Sequence, residues 1–178
     1  MPRLAYLNLE KTSITSGCAP FLRKLTALKV LDLRRCLVGD AIGDAVMAML
    51  SLEALMLAFT EVTDSLAATL AQLHHLRCLK LTGVARFTDD GIQRLSQSPS
   101  LQTSLVSFDV GSPDVTNGCA GAICLLRSIE SLQLWETSVN PRGAGAIAAG
   151  LGLEIDDQIR CTSGTHIFLS RDRLQGVF

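Results

Sequence analysis

The chain has 178 residues and a net charge of -1, with 48% hydrophobic and 19% charged residues. This balance gives no overall attraction to nucleic acid or to an acidic membrane, so we predict no nucleic-acid partner. The most apolar window, 45–59, is shorter than the about 20 residues that a membrane-spanning helix needs, so we predict no membrane span.

A Leu-x-x-Leu-x-Leu pattern begins near the amino terminus and returns about every 24 residues. One interval is 29 residues long, and the pattern starts at Leu4, Leu28, Leu52, Leu76, Leu105 and Ile129. A fixed period in this range is the signature of a repeat architecture. We therefore divide residues 1–152 into a repeat array of six units, at 4–27, 28–51, 52–75, 76–104, 105–128 and 129–152.

Each unit reads as a short strand followed by a short helix. Numbered from its first leucine, a unit alternates apolar and polar residues over positions 3 to 7, which is a strand signal. Positions 13 to 23 change to helical spacing, for example at Leu66 and Leu70. Thr-Asp pairs at 63–64 and 88–89 stand where N-cap residues belong. No unit could bury its apolar edge alone, but stacked units share a continuous core.

These residues resemble the leucine-rich repeat family over positions 4 to about 152. The resemblance implies an α/β fold, a curved solenoid with parallel strands on the concave side and short helices on the convex side. Cys36 is similar to the cysteine-containing class of the family, and residues 142–147 are similar to the ribonuclease-inhibitor-like class. The family usually has Asn at position 9, where its side chain joins adjacent turns. Here that position holds Thr12, Cys36, Thr60, Val84, Pro113 and Thr137.

The two ends of the array need separate interpretation. The first strand begins at Leu4 with nothing ahead of it, so we expect additional repeats or another surface, such as a second copy, to cover its edge. At the other end the register stops, because Asp156 falls where position 4 needs an apolar residue. Residues 153–178 form either a C-terminal cap or a poorly folded tail, and 166–169 within them read as a strand.

The resemblance also implies that the concave face binds a protein or peptide partner. Strand side chains alternate, so positions 3, 5 and 7 face outward, and position 8 lies at the rim. The single Trp and the single Tyr both fall on outward positions, where exposed aromatics are enriched in binding hot spots. The candidate partner-binding residues are Tyr6, Asn8, Asp32, Arg34, Met56, Phe59, Lys80, Asp109, Gln133 and Trp135.

An alternative interpretation is that the charged candidates interact with one another and not with a partner. Asp32 with Arg34, and Lys80 with Asp109, could simply form ion pairs or stay solvated. Such surface pairs contribute only about 0–1 kcal/mol. On this interpretation the charges need no partner.

Catalytic and nucleotide-binding motifs give weak signals. The adjacent pair His74-His75 has no third metal ligand at a suitable spacing, and no Ser-His-Asp or Cys-His set stands in a motif. The glycines of 143–150 do not have the Gly-x-Gly-x-x-Gly spacing. We therefore predict no enzyme, no metal and no cofactor. The predicted function is a protein-protein interaction scaffold within a larger protein or assembly, and the alternative is a structural or surface-displayed repeat segment of a longer extracellular chain.

Cysteine usage bears on that alternative. The chain has six cysteines without a Cys-x-x-Cys pair, at Cys18, Cys36, Cys78, Cys119, Cys124 and Cys161. Scattered cysteines with no framework favour reduced thiols, which act as small hydrophobic residues. We therefore expect a cytoplasmic location, and a disulfide-bonded extracellular chain is the alternative.

Overall fold

A single sheet organises the protein, whose computed structural model describes residues 3–155 and 165–171. Its eight strands lie in the order β1-β2-β3-β4-β5-β6-β8-β7. The first six are parallel and adjacent in chain order. The strands are Tyr6–Asn8 (β1), Val30–Asp32 (β2), Ala54–Met56 (β3), Cys78–Thr82 (β4), Ser107–Gly111 (β5), Ser131–Thr137 (β6), Glu154–Ile155 (β7) and Thr165–Ser170 (β8).

A short helical segment follows each parallel strand, and neighbouring segments pack side by side. The helices are Ala19–Leu22 (α1), Gly43–Met47 (α2), Ala67–Leu70 (α3), Asp89–Ser96 (α4), Pro99–Ser104 (α5), Ala120–Ile123 (α6) and Pro141–Leu151 (α7). A 3-10 turn leads into four of them, α1, α2, α3 and α6. The protein is thus an α/β leucine-rich repeat solenoid, and the predicted fold class is confirmed.

The register of the parallel strands reproduces the sequence period. One buried row runs across the sheet through Leu7, Leu31, Leu55, Leu79, Phe108 and Leu132. All but the first of these side chains are fully buried. Full burial of such a side chain contributes about 1.5–3 kcal/mol, so a shift of register would expose the row at a large cost.

The longest repeat interval leaves the sheet intact. β4 and β5 pair over five consecutive residues although 29 residues, not 24, separate Leu79 from Phe108. The additional chain forms α5, whose N-cap Ser98 accepts a hydrogen bond from the Leu101 N–H at 3.4 Å. The Ser98 hydroxyl also donates to the Ala71 carbonyl at 2.6 Å, which ties α5 to the preceding unit. The insertion is therefore accommodated on the helical side.

A second set of bonds joins the units where their helices begin. Asp64 is representative: its Oδ1 accepts from the Thr88 N–H at 2.8 Å, and its Oδ2 accepts from the Thr88 hydroxyl at 2.7 Å. Thr88 Oγ1 in turn accepts from the Asp90 N–H at 3.2 Å and so caps α4. We call this series the helix-start ladder, and its acceptors are Ser16, Asp40, Asp64, Asp89 and Asn117.

The ladder adds a role that the sequence did not indicate. The predicted N-caps at Thr63 and Thr88 are confirmed. The sequence spacing assigns the residue after each cap to the same local motif, but the side chains of Asp64 and Asp89 bind the next unit. Each Thr-Asp pair therefore stabilises its own helix and its neighbour together.

Strand β8 ends the run of parallel strands. It pairs antiparallel with β6, with Leu169 opposite Leu132, and β7 pairs with its other side. Leu169 is fully buried and extends the row of core leucines beyond the last repeat. Residues 156–164, which include Cys161, and 172–178 lie outside the described residues.

The opposite edge of the sheet is open. Among the described residues, β1 pairs only with β2. Leu7 and Leu9 are partly exposed, whereas their equivalents in the later units are buried. β1 therefore offers main-chain groups to which a further strand could pair.

Substitution of the central ladder carboxylate tests its contribution. Asp64→Ala removes both acceptors and leaves the Thr88 N–H without its acceptor. Hydrogen bonds to charged groups contribute about 1.5–3 kcal/mol, so we expect the free energy of unfolding in urea to fall by about 2–3 kcal/mol.

Asp90→Ala is the matched control, since Asp90 is an exposed carboxylate in the first turn of α4, the helix that Thr88 caps, and accepts no ladder bond. Loss of its favourable interaction with the helix dipole should reduce the free energy of unfolding by about 0.5 kcal/mol. Equal losses in the two variants would contradict the ladder.

Candidate partner-binding face

Three rows of side chains cross the strands on the side away from the buried rows. Side chains alternate along a strand, so every second residue belongs to this side. The middle row runs through Asn8, Asp32, Met56, Lys80, Asp109, Gln133 and Phe168. We call these rows, with the rim residues that follow each strand, the concave face. All ten predicted binding residues lie on it or at its rim.

Arg34 lies between two carboxylates at one end of this face. Its Nε donates to Asp32 Oδ1 at 3.0 Å, and its Nη2 donates to Asp32 Oδ2 at 2.6 Å and to Glu10 Oε2 at 3.0 Å. The hydrogen bonds that Arg34 donates to Asp32 are the main cause of a raised pKa for Arg34. Asp32 is only 1% exposed, so a partner would meet the guanidinium of Arg34 rather than the carboxylate.

Lys80 and Asp109 form a similar pair on β4 and β5. Lys80 Nζ lies 3.2 Å from Asp109 Oδ2, and the carboxylate is only 4% exposed. Burial raises the pKa of Asp109, and the charge of Lys80 partly offsets this effect. Asp109 Oδ1 accepts no hydrogen bond from the described residues. Both pairings considered as an alternative therefore form, and Lys80, like Arg34, is the accessible member.

Aromatic side chains lie at both ends of the face. Tyr6 on β1 is 56% exposed, and Trp135 on β6 is 40% exposed. Strands lie ~4.8 Å apart, so about 24 Å of sheet separates the two rows. Asn8 beside Tyr6 is exposed, and Gln133 beside Trp135 is partly exposed. An extended partner could therefore contact an aromatic anchor at each end.

The sequence interpretation missed two side chains on this face. His166 lies opposite Trp135, with their ring centroids 3.7 Å apart and their planes inclined by 44°. Phe168 lies opposite Gln133 in the middle row. The alternation over 166–169 was the available signal, because a strand that places Leu169 in the core directs Phe168 to the other side.

The rim of the face has an unusual backbone conformation. Lys11, Arg35 and Phe59 have positive φ values of 59°, 58° and 58°, and Gly83 follows them with 71°. The Arg35 guanidinium lies 4.4 Å above the centre of the Phe59 ring. A Cβ on Gly83 would come within 2.4 Å of that ring, so the ring packs directly on the glycine. Phe59 is therefore held between Arg35 and Gly83, beside a partly exposed Met56.

Other kinds of site have little support in the described part of the chain. Residues 3–155 and 165–171 contain no group of three His, Cys, Asp or Glu side chains that could hold a metal ion. No helix among them is long and apolar enough to cross a membrane. The five described cysteines are free thiols.

Comparison with known proteins gives a distant structural likeness. No family model matches the chain, and no curated protein matches it. Among solved structures, it is similar to an internalin from Listeria monocytogenes, with 16% sequence identity and a TM-score of 0.43. The match covers 80% of this chain and 51% of the internalin, so this chain spans about half the length of that protein.

Two glycine substitutions should have opposite effects. Gly83→Ala places a side chain at positive φ and against the Phe59 ring. We expect it to lower the free energy of unfolding by about 1–2 kcal/mol. Gly121→Ala, in α6 with no atom near its new Cβ, should raise that free energy by up to about 1 kcal/mol. Urea denaturation measures both, and a Gly83→Ala variant as stable as the parent protein would contradict the packing of Phe59 on Gly83.

The partial exposure of Trp135 predicts its fluorescence. Its emission should lie near that of a hydrated indole and shift little when the protein unfolds, and iodide should quench it in the native state. Since Trp135 is the single tryptophan, the signal needs no assignment. A strongly blue-shifted native emission that iodide does not quench would place the indole in the core instead.

Proposed function

We propose that the chain is a member of the leucine-rich repeat family and acts as a protein-protein interaction module. On this proposal the concave face binds a protein or peptide partner. One observation carries it: exposed aromatic side chains lie at both ends of a sheet face whose central cations are held in place by buried carboxylates. The class within the family, cysteine-containing or ribonuclease-inhibitor-like, stays a prediction.

Held cations favour binding because little side-chain freedom is lost on association. Asp32 holds Arg34 through two guanidinium nitrogens, and Asp109 holds Lys80. Ordering a mobile, rotamer-rich side chain at an interface costs about 0.5–1.5 kcal/mol, and much of this cost is already met here. Since Arg34 and Lys80 are the accessible members of their pairs, the partner should place carboxylates or carbonyl oxygens opposite them.

The context of the module is part of the same proposal. We propose that it works without enzymatic activity, as a scaffold within a larger protein or assembly, and in the cytoplasm. The scattered cysteine positions support the cytoplasmic location, because they lack the spacing of a disulfide framework. Titration of thiols in the unfolded native-source protein should then find all six cysteines reduced, and fewer would favour the extracellular alternative.

Aromatic truncation on opposite sides of the solenoid tests the binding face. Partners captured on the immobilised chain are purified, and their affinity is measured by calorimetry. We expect Tyr6→Ala and Trp135→Ala each to lower the affinity for the same partner by about 30-fold. Truncation of a hot-spot residue costs about 2 kcal/mol or more of binding free energy.

Phe21→Ala is the matched control, because Phe21 is 71% exposed but lies on α1. It should leave the affinity unchanged. A loss with Phe21→Ala as large as with the other two variants, or no loss with either of them, would contradict binding at the concave face.

A further inference from the structure

A second surface with a distinct charge lies at the amino ends of the strands. An open groove of about 380 Å³ crosses the starts of β4, β5 and β6 and reaches the end of β8. A neighbouring groove shares two of its residues and continues to the starts of β2 and β3. We call the two together the strand-start groove. Its charged or titratable lining in the first part is His74, His75, Arg77, Arg127, Glu130 and Arg171.

The first part of the groove carries an excess of cations. Three arginines face one carboxylate, that of Glu130, although the whole chain has a net charge of -1. Arg77 and Arg127 are exposed, and no carboxylate of a described residue lies within ion-pairing distance of either. Within the described part of the chain, no ion pair therefore neutralises the charges of Arg77 and Arg127.

The adjoining acidic residue is already engaged. Glu53 forms an ion pair with Lys29 at 2.7 Å. The hydrogen bond from Lys29 is the main cause of a lowered pKa for Glu53, and the charges of Arg77 and His75 lower it further. The ion pair of Glu53 is therefore with Lys29, and Arg77 interacts with that carboxylate only through its charge at longer range.

Backbone contacts fix the positions from which these cations project. The Arg77 N–H donates to the Glu53 carbonyl at 2.7 Å, at the start of β4. The Arg171 N–H donates to the Glu130 carbonyl at 3.2 Å, and its guanidinium Nη2 donates to the Arg127 carbonyl at 3.4 Å. The groove therefore lies at the ends of the strands, where backbone hydrogen bonds hold its residues, and not on a long loop.

We propose that the strand-start groove binds a phosphate monoester carried on an extended peptide, as phosphoserine or phosphothreonine. A phosphate monoester carries a charge of about -1.5 to -2 at pH 7 and three acceptor oxygens, so it can engage more than one guanidinium. A carboxylate has a single charge and two oxygens, which is a poorer match for the unpaired Arg77 and Arg127.

The shape of the groove selects a peptide as the carrier. It is open along its length and runs from the start of β2 to the end of β8. Five strand spacings of ~4.8 Å give about 24 Å, which about seven residues of extended peptide would span. Neither Tyr6 nor Trp135 lines the groove, so this proposal does not rest on binding at the concave face.

Labelled peptides test the proposal on the full chain. The probe is a fluorescent peptide of about seven Gly and Ala residues with a central phosphoserine, a length that matches the groove. Its counterparts carry Ser or Glu at the centre. In fluorescence polarisation we expect the phosphopeptide to bind at least about tenfold more tightly than either counterpart, with an affinity that falls as salt rises.

Charge-matched substitutions locate the site. Arg77→Gln and Arg127→Gln should each lower the affinity for the phosphopeptide by about tenfold, since each removes a charge-assisted hydrogen-bond donor. Arg94→Gln is the control, because Arg94 is an exposed arginine on α4 outside the groove. It removes the same charge and should leave the affinity unchanged.

Each remaining outcome decides the question. Equal binding of the Ser or Glu peptide, or an equal loss with Arg94→Gln, would overturn the proposal. If inorganic phosphate displaces the labelled phosphopeptide as well as unlabelled phosphopeptide does, the peptide carrier is wrong. If a single-stranded oligonucleotide binds more tightly than the phosphopeptide, the ligand is nucleic acid and the proposal is overturned. Tyr6→Ala and Trp135→Ala should retain phosphopeptide binding, which keeps failure here distinct from failure of the concave-face proposal.

Discussion

The helix-start ladder is the constraint on which the rest of the solenoid depends. From the second unit to the sixth, the N-cap residue donates its backbone N–H to a side chain of the unit before it, so neither unit completes its hydrogen bonds alone. The leucine rows fix the register on the sheet side, and the ladder fixes it on the helix side. The Asp89 to Thr116 bonds span the interval that holds α5, so the stack stays continuous where the period does not.

Fixed register on both sides explains why function can be assigned to whole faces. Strands held in one register carry their side chains in straight rows, so Arg34 and Lys80 keep defined positions on the concave face. The same register brings Arg77 and Arg171 together in the strand-start groove, although they are far apart in the chain. The two surfaces proposed for recognition therefore share one framework and can be altered separately.

Much of this could be predicted from the sequence, because a repeated pattern constrains both strand pairing and the direction of each side chain. The fold, the core rows and the caps at Thr63 and Thr88 follow from local spacing. The burial of Asp32 could not be predicted, since it depends on Arg34 folding across it. Strand β8 lies outside the period, and the ladder joins residues about one unit apart that look like ordinary local caps.

The two sides of the sheet differ in whether a further repeat could pair with them. β1 has a free side that a parallel strand could occupy without displacing any described part of the chain. Near the other edge, β8 runs antiparallel against β6 with β7 outside it, so a new unit placed after β6 would have to displace β8. Duplication of one unit among β1 to β6 would therefore keep a parallel neighbour on each side of the added strand, whereas one placed after β6 would break the pairing that buries Leu169.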